Sequence, residues 1–281
     1  MSFMDKNTKL CFYDIESSGL NVYEESILEI SFTDFDTQQS ILHIYVLPSN
    51  GKKITNSNIH KIDEKVLEEK NALQIDDALN LINETLNKEY GNKLIVLGAH
   101  NNFGFDQNLL ESEYYRAGLR PLKNILFFDT IPFIKKYFPD FKSYALSSCF
   151  KSIMGRDIKD SDELHTASYD TKCLTELVHK CFNILLNQYK LRVKLDDFVR
   201  YSVFDKRYLN QNIKLTGFRN SNYLQRKGIK NIKSLLNIYK LSDCNINTFE
   251  VNLKNMYKIT FRYKNEIKRL GLYIDFLNKL F

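Results

Sequence analysis

The 281-residue sequence lacks any long apolar segment, which excludes one broad class of protein. No run of about 18 apolar residues occurs, so no membrane-spanning helix is predicted. The first residues, Met1 to Lys9, are polar and contain no apolar core segment, so we expect no secretory signal. Hydrophobic residues make up 43% of the chain and charged residues 26%, as in packed globular proteins. We therefore expect a cytoplasmic protein that makes no membrane contact.

Cysteine is scarce and is not arranged for disulfides or zinc. The five cysteines form no C-x-x-C pair and no zinc-type spacing. They are Cys11, Cys149, Cys173, Cys181 and Cys244. Their odd number and scattered placement suit a reducing compartment, where we expect them to be ordinary core residues.

Charge is distributed unevenly along the chain. Residues 1–189 contain 20 Lys/Arg and 27 Asp/Glu, a net charge of −7, whereas residues 190–281 contain 20 and 7, a net charge of +13. A basic C-terminal third joined to an acidic body predicts two units, one of which meets a polyanion. A solvated, lysine-rich surface is the alternative explanation. We predict domains over 1–189 and 207–281, with a linker over 190–206.

Hydrophobic patterning predicts an α/β fold with a mixed sheet flanked by helices, followed by a small all-α C-terminal domain. Three strands with short links, which favour antiparallel pairing, are predicted over 10–15, 27–35 and 41–47. Strands and helices then alternate, as expected where a sheet is covered by helices. The predicted strands are 94–98 and 125–128, and the predicted helices are 76–88, 104–117, 131–137, 144–154 and 168–189. Residues 207–281 predict only short helices, with breaks near Gly217, Gly228 and Gly271.

A pair of acids lies on the first predicted strand. Asp14 and Glu16 are two residues apart, so both side chains lie on the same face. Two carboxylates side by side repel each other unless a cation lies between them. A strand end at which both acids reach water would also explain the pair.

Two further acids and a histidine come later in the sequence. Asp106 opens a predicted helix and has Leu109 and Leu110 at offsets of three and four, which turns the acid inward. Asp170 opens another helix and lies on its apolar stripe. Each acid suits either a helix cap or a metal ligand. His165 lies in the loop before Asp170 and, taken alone, would be read as a surface residue.

Together, these segments resemble the three motifs of the DEDDh 3′→5′ exonucleases, the group that contains the proofreading epsilon subunits, ribonuclease T and oligoribonuclease. The segments are residues 12–20 (FYDIESSGL), 100–106 (HNNFGFD) and 165–170 (HTASYD). Residues 58–62 (NIHKI) and Asp129-Thr130 are similar to two further family elements. The resemblance covers about residues 9–186.

The resemblance implies an RNase H-like fold and two Mg²⁺ or Mn²⁺ ions. Asp14 would bridge both ions, Glu16 and Asp170 would complete one site, and Asp106 would support the other through water. Such ions favour carboxylate oxygens, lower the pKa of the attacking water and stabilise charge on the scissile phosphate. His165 would act as general base on that water.

The same resemblance implies the residues that bind substrate. Ser17, Ser18, Gly19 and Leu20 would contact the 3′ end, with Leu20 wedged against the terminal base. His100, Asn101 and Phe105 would line the site.

The basic region carries a second resemblance. Residues 215–236 (LTGFRNSNYLQRKGIKNIKSLL) look like the helix-hairpin-helix-like C-terminal domain of bacterial RNA polymerase alpha subunits. That resemblance implies phosphate contacts from helix N-termini and basic side chains. The candidate nucleic-acid-binding residues are Arg219, Arg226, Lys227 and Lys230. An unrelated helical domain that packs on protein is the alternative.

The sequence therefore predicts a metal-dependent 3′→5′ exonuclease that releases nucleoside 5′-monophosphates from DNA, in proofreading or repair. Its expected partners are single-stranded or frayed 3′ ends of DNA, with RNA and a polymerase as further candidates. Three alternatives stay open: an exoribonuclease that trims RNA, a nucleic-acid-binding adaptor with an inactive nuclease fold, and a polymerase-associated subunit whose C-terminal unit binds protein.

Overall fold

The computed structural model describes residues 7–158, 166–191, 193, 195–211, 221–259 and 264–280. The chain divides between Val199 and Arg200 into two compact units. Among the described residues, no helix combines the length and the apolar character needed to cross a membrane.

Six strands form one mixed sheet in the order β3-β2-β1-β4-β5-β6. The strands are β1 (Thr8–Ser17), β2 (Ile27–Asp34), β3 (Ser40–Tyr45), β4 (Leu94–Ala99), β5 (Ile125–Asp129) and β6 (Val199–Tyr201). The first three strands pair antiparallel, whereas β4 pairs parallel with both β1 and β5. Short links allow the antiparallel pairs, and parallel pairing follows once helices connect the strands. The predicted RNase H-like mixed sheet is confirmed.

In the part of the first unit that the structure describes, seven α-helices accompany the sheet. They are α1 (Ser57–His60), α2 (Glu64–Glu69), α3 (Ile75–Tyr90), α4 (Asp106–Arg116), α5 (Thr130–Tyr137), α6 (Leu146–Met154) and α7 (Ala167–Asn187). The predicted apolar stripe of α7 is buried and shares a core with Phe12 of β1 and Phe35. This packing holds the start of α7 against β1, the strand that carries Asp14 and Glu16.

Close packing between β1 and β4 depends on Gly98. A Cβ atom at this position would lie 2.5 Å from Cε1 of the buried Phe12 ring and 3.2 Å from Cδ1 of Phe128. Because both rings are fully buried, neither has room to move away. The absent side chain therefore makes space for the aromatic core beneath β1.

The segment predicted to be a linker, 190–206, contains ordered structure. It includes a 3-10 helix at Leu195–Asp197 and the short strand β6, which the sequence analysis missed. Phe198 is buried against Phe133, and its carbonyl accepts a hydrogen bond of 3.4 Å from Asp129 N. A three-residue strand is too short to give an alternating hydrophobic pattern, so its sequence signal is weak.

After β6, the described part of the second unit is helical. Its elements are a 3-10 helix at Lys206–Asn210 and the helices α8 (Ser221–Arg226), α9 (Ile232–Lys240), α10 (Ile246–Tyr257) and α11 (Lys264–Leu280). Gly228, with φ of 96°, ends the turn after α8 as expected. The expected break near Gly271 is wrong, because Gly271 lies within α11, where its missing side chain admits Ile246 of α10. Gly217 lies outside the described residues.

Four of the five cysteines are buried as expected. The prediction is wrong for Cys244, which is exposed. This residue lies in the turn between α9 and α10 and has φ of 53°.

Candidate active site

The acid pair on β1 occupies the middle of the sheet. Asp14 and Glu16 are both partly buried and lie on the same face of the strand. Antiparallel pairing places Glu29 of β2 directly opposite Glu16. Both acids therefore lie on a central strand, paired with β2 but beyond Phe12, the last residue of β1 that pairs with β4.

Asp170 completes a group of three carboxylates. Its ligand oxygen and those of Asp14 and Glu16 all lie within 4.8 Å of one another. The hydroxyl of Thr166 caps α7 by accepting a hydrogen bond of 3.3 Å from Tyr169 N. Thr166 therefore fills the cap position, and Asp170 in the first turn faces the acid pair on β1.

Asp106 lies beside this group. It is the first residue of α4, and only 4% of its surface is exposed. The backbone amides of Asp106 itself and of Ile15 on β1 lower the pKa of this carboxylate, against the larger effect of burial. The second predicted motif thus reaches the strand that carries the first.

Burial and mutual repulsion change the acidity of these groups. Burial raises the pKa of Glu16 to about 9, with further contributions from the charges of Glu29 and Asp170. Burial also raises the pKa of Asp106 to about 8, and the charge of Asp129 adds to it. The pKa of Asp14 rises well above its usual value because of burial and then the charges of Asp106 and Glu16.

This donor set fits a hard divalent cation. All four side chains offer carboxylate oxygens, the ligands that Mg²⁺ and Mn²⁺ prefer. A bound cation would offset both the burial and the repulsion that raise the three pKa values, because it stabilises the ionised carboxylates.

Glu29 is a functional candidate that the sequence analysis missed. Its side chain is fully buried, and its Oε2 accepts a hydrogen bond of 3.2 Å from Ala167 N at the start of α7. Its Oε1 lies 2.6 Å from His43 Nε2. Glu29 therefore ties β2 to the helix that carries Asp170. The same strand also contains Asp34, so the sequence alone does not single out Glu29.

Two further buried side chains fix the second motif. Asn102, rather than its exposed neighbour Asn101, accepts a hydrogen bond of 2.6 Å from Tyr13 Oη and donates to Leu97 O and Phe128 O. Asp129 accepts a hydrogen bond of 3.1 Å from Phe103 N. These contacts join the segment before Asp106 to β1, β4 and β5. The run of two asparagines gives no sign of which one faces inward.

The predicted substrate residues at the end of β1 lie in a tight loop. Ser17 Oγ donates a hydrogen bond of 2.8 Å to Gly19 O, and Ser18 Oγ donates one of 2.7 Å to Glu25 Oε2. The side chain of Leu20 projects into solvent, with 76% of the residue exposed. The hydroxyls therefore shape the loop, while Leu20 is presented at its surface.

The other predicted substrate residues follow β4. Both ring nitrogens of His100 have protein partners, Thr130 Oγ1 at 2.9 Å and Tyr144 O at 2.8 Å, and burial lowers the pKa of this histidine. Asn101 is exposed with φ of 65°, and Phe105 is partly buried. His100 thus links the end of β4 to the segment before α6.

Two predicted residues, His165 and Arg219, lie outside the described residues. Arg226, Lys227 and Lys230 are exposed in the second unit, where they flank the turn between α8 and α9.

The six-stranded mixed sheet and the carboxylate group at β1 define the protein as a nuclease of the RNase H-like fold. The chain belongs to the exonuclease family RNase_T, whose model matches residues 11–178.

The similar curated proteins are PolC-type DNA polymerases III. The relative from Mycoplasma genitalium is 29% identical over 179 residues, covering 61% of this chain and 12% of its own length. The relative from Ureaplasma parvum is 26% identical over 187 residues, covering 65% of this chain and 12% of its own length. The match thus spans about an eighth of each polymerase.

Solved structures of Escherichia coli exonuclease I share the fold. The complex with a dT13 oligonucleotide superposes with a TM-score of 0.54 at 14% identity, over 65% of this chain and 42% of that one. A zinc-bound complex with single-stranded DNA gives a TM-score of 0.51 at 13% identity, with the same coverage.

Proposed function

We propose that the protein is a metal-dependent 3′→5′ exonuclease that hydrolyses DNA and releases nucleoside 5′-monophosphates. One observation carries the proposal: the ligand oxygens of Asp14, Glu16 and Asp170 lie within 4.8 Å of one another. Asp106 adds a fourth carboxylate, close enough to raise the pKa of Asp14. Three separate sequence segments converge on this group.

The four carboxylates of Asp14, Glu16, Asp106 and Asp170 would hold the two proposed Mg²⁺ or Mn²⁺ ions. When bound, these ions lower the pKa of water and stabilise charge on a phosphate and its leaving oxygen. The rigid attachment of Asp14 and Glu16 to a central strand fixes the ligand oxygens before substrate arrives. His165 is proposed to accept the proton of the attacking water at its imidazole, because the pKa of a histidine lies near neutrality.

DNA is the proposed substrate, and a polymerase is the proposed partner. Exonuclease I, which shares the fold, has been solved with single-stranded DNA, and the curated relatives are DNA polymerases. Leu20 is exposed in the loop that follows β1, where an apolar side chain can wedge against a terminal base. A role in proofreading or repair would follow from the removal of 3′-terminal nucleotides.

The second unit is proposed to hold nucleic-acid phosphates. Arg226, Lys227 and Lys230 are exposed and lie within five residues of one another. Their position around the turn at Gly228 suits contacts with a backbone more than contacts with base edges.

The proposal is tested with 5′-labelled single-stranded DNA and RNA of matched sequence in Mg²⁺ or Mn²⁺. The expected result is a ladder that shortens from the 3′ end on DNA, with mononucleotide products. EDTA and Asp14→Asn should abolish the ladder, while Asp140→Asn, which alters an exposed acid, should leave it intact.

Other outcomes would select an alternative. Faster shortening of RNA than of DNA would identify an exoribonuclease. Binding without cleavage of either substrate would identify an inactive adaptor and would overturn the enzyme assignment.

A further inference from the structure

The loop that carries Leu20 is fixed at many points along its length. We define the wedge loop as residues 18–26, between β1 and β2. Its two ends are joined by hydrogen bonds of 2.9 Å from Ser18 N to Ser26 O and from Ser26 N to Ser18 Oγ. Within the loop, a Cβ atom on Gly19 would lie 2.8 Å from the Glu25 side chain, which accepts a hydrogen bond of 2.7 Å from Ser18 Oγ, so a larger residue here would displace Glu25. The wedge loop is therefore compact, with Leu20 exposed at its surface.

The segment that precedes α1 attaches to one side of the wedge loop. Thr55 donates two hydrogen bonds to Ser18 O, from its backbone nitrogen at 3.0 Å and from Oγ1 at 2.7 Å. Ser49 Oγ lies 2.7 Å from Ser26 Oγ, and Lys52 Nζ lies 3.9 Å from Glu25 Oε1. These contacts restrain the two ends of the loop.

Arg116, in the last turn of α4, attaches to the second half of the wedge loop. Its guanidinium donates to Tyr23 O at 2.8 Å and to Glu25 O at 2.6 Å, and it pairs with Glu113 at 3.1 Å. The Glu113 side chain is buried and also accepts a hydrogen bond of 3.2 Å from Ile27 N. A planar guanidinium can hold two carbonyls and a carboxylate at once, which a lysine amine cannot do with the same geometry.

We propose that Arg116 is a positioning residue that holds Leu20 rigidly so that it can separate the terminal base pair of a duplex 3′ end. This role rests on the proposed function and makes Arg116 a determinant of specificity for duplex 3′ ends. A single strand offers no pair to open, so its cleavage needs Leu20 less than cleavage of a duplex end does. Loss of the Arg116 contacts would let the loop yield when Leu20 presses against stacked bases. The same helix begins with Asp106, so α4 connects the loop directly to the carboxylate group.

The experiment compares the rates of 3′ shortening on single-stranded DNA and on a duplex with a recessed 3′ end. For Arg116→Met, the duplex-to-single-strand rate ratio should fall about tenfold, as a displaced positioning group typically costs one to two orders of magnitude. Arg116→Lys, which keeps the charge, should give an intermediate ratio. Leu20→Ala should lower the rate ratio by a similar factor. The double variant Leu20→Ala with Arg116→Met should have the same ratio as either single variant, because both changes remove the same wedging function.

The control is Arg120→Met, which removes the same charge from an exposed position four residues along the chain. Its rate ratio should equal that of the wild type. An unchanged ratio in both Arg116 variants, or effects that add fully in the double variant, would overturn the inference. Wild-type protein that shortens single strands but no duplex end would also overturn it. Absence of cleavage of every substrate by the wild type would instead contradict the proposed function itself.

Discussion

Glu16 and Asp106 illustrate how an acid acquires unusual chemistry from its surroundings. Burial raises their pKa values to about 9 and about 8, from ordinary values of 4.5 and 3.8. Between the ordinary and the raised values, the folded protein holds more protons than the unfolded chain. Unfolding then releases protons, so the free energy of unfolding falls as pH rises.

The metal-free protein should therefore lose stability between about pH 4.5 and pH 9. The stabilising contribution of these two acids is fully present below pH 4 to 4.5 and is lost as the pH rises through 8 and 9. Asp106→Asn should raise the free energy of unfolding at pH 9 by about 1 to 3 kcal/mol, because it removes a buried charge. Urea unfolding at several pH values in EDTA measures both effects.

Asp140→Asn is the matched control, since Asp140 is exposed. It should leave the pH dependence unchanged. Saturating Mn²⁺ should restore stability at pH 9, because the ion binds the ionised carboxylates. Stability that rises with pH in EDTA would show that the pKa values of these acids are not raised in the folded state.

At the scale of elements, β2 and α7 are joined through one carboxylate. One carboxylate oxygen of Glu29 accepts a hydrogen bond from Ala167 N, three residues before Asp170. Its other oxygen lies next to His43 Nε2. The position of α7 thus depends on a side chain from the sheet as well as on its apolar stripe. Groups that support metal ligands in this way commonly change metal affinity or activity by about 10- to 100-fold when removed.

We predict a difference between two substitutions of Glu29. Glu29→Ala leaves Ala167 N without its acceptor and should lower exonuclease activity about 10- to 100-fold and weaken Mn²⁺ binding. Glu29→Gln keeps an oxygen for Ala167 N and should restore most of the activity. Rates at several Mn²⁺ concentrations distinguish the two. Equal losses in both variants would show that the charge of Glu29 matters and that its hydrogen bond to α7 does not.

Much of this arrangement could be predicted from sequence because its signals are local. The strand spacing of Asp14 and Glu16 places them on one face, and the apolar stripe of α7 turns Asp170 inward. Glu29 and Asn102 could not be predicted, because their roles depend on backbone groups more than 20 residues away. The strand β6 could not be predicted, because three residues are too few to show the alternating hydrophobic pattern of a strand. The break predicted at Gly271 was wrong because a glycine can serve close helix packing as well as a turn.

At the scale of the whole molecule, the chain combines two units of opposite charge. The division of contacts falls between Val199 and Arg200, close to the point where the net charge changes sign. A basic unit attached to an acidic nuclease would supply electrostatic attraction to nucleic acid that the acidic body cannot. The carboxylate group would repel a phosphate backbone unless cations neutralise it.

Binding of single-stranded DNA should weaken steeply with salt, and the second unit should account for part of this dependence. Replacing Arg226, Lys227 and Lys230 together by Gln should reduce the slope of log affinity against log salt by about 2, since each contact with a single strand contributes about 0.7. Fluorescence anisotropy of a labelled oligonucleotide in Ca²⁺ at several salt concentrations gives the slope.

Replacing Lys240, Lys254 and Lys268 together by Gln is the matched control, because these lysines are also exposed on the second unit. It should change the slope less. Equal slopes for the two triple variants would show that the α8–α9 turn is not the phosphate-binding site. A slope near zero in the wild type would favour a protein partner for this unit.

The central claim is that the four acids form a site for divalent metal ions. Titration of Mn²⁺, with the free ion followed by electron paramagnetic resonance, tests it most directly. The wild type should bind two ions, Asp14→Asn should weaken their binding by at least about tenfold, and Asp140→Asn should bind as the wild type does. Mn²⁺ binding that is unchanged in Asp14→Asn, or absent from the wild type, would contradict it.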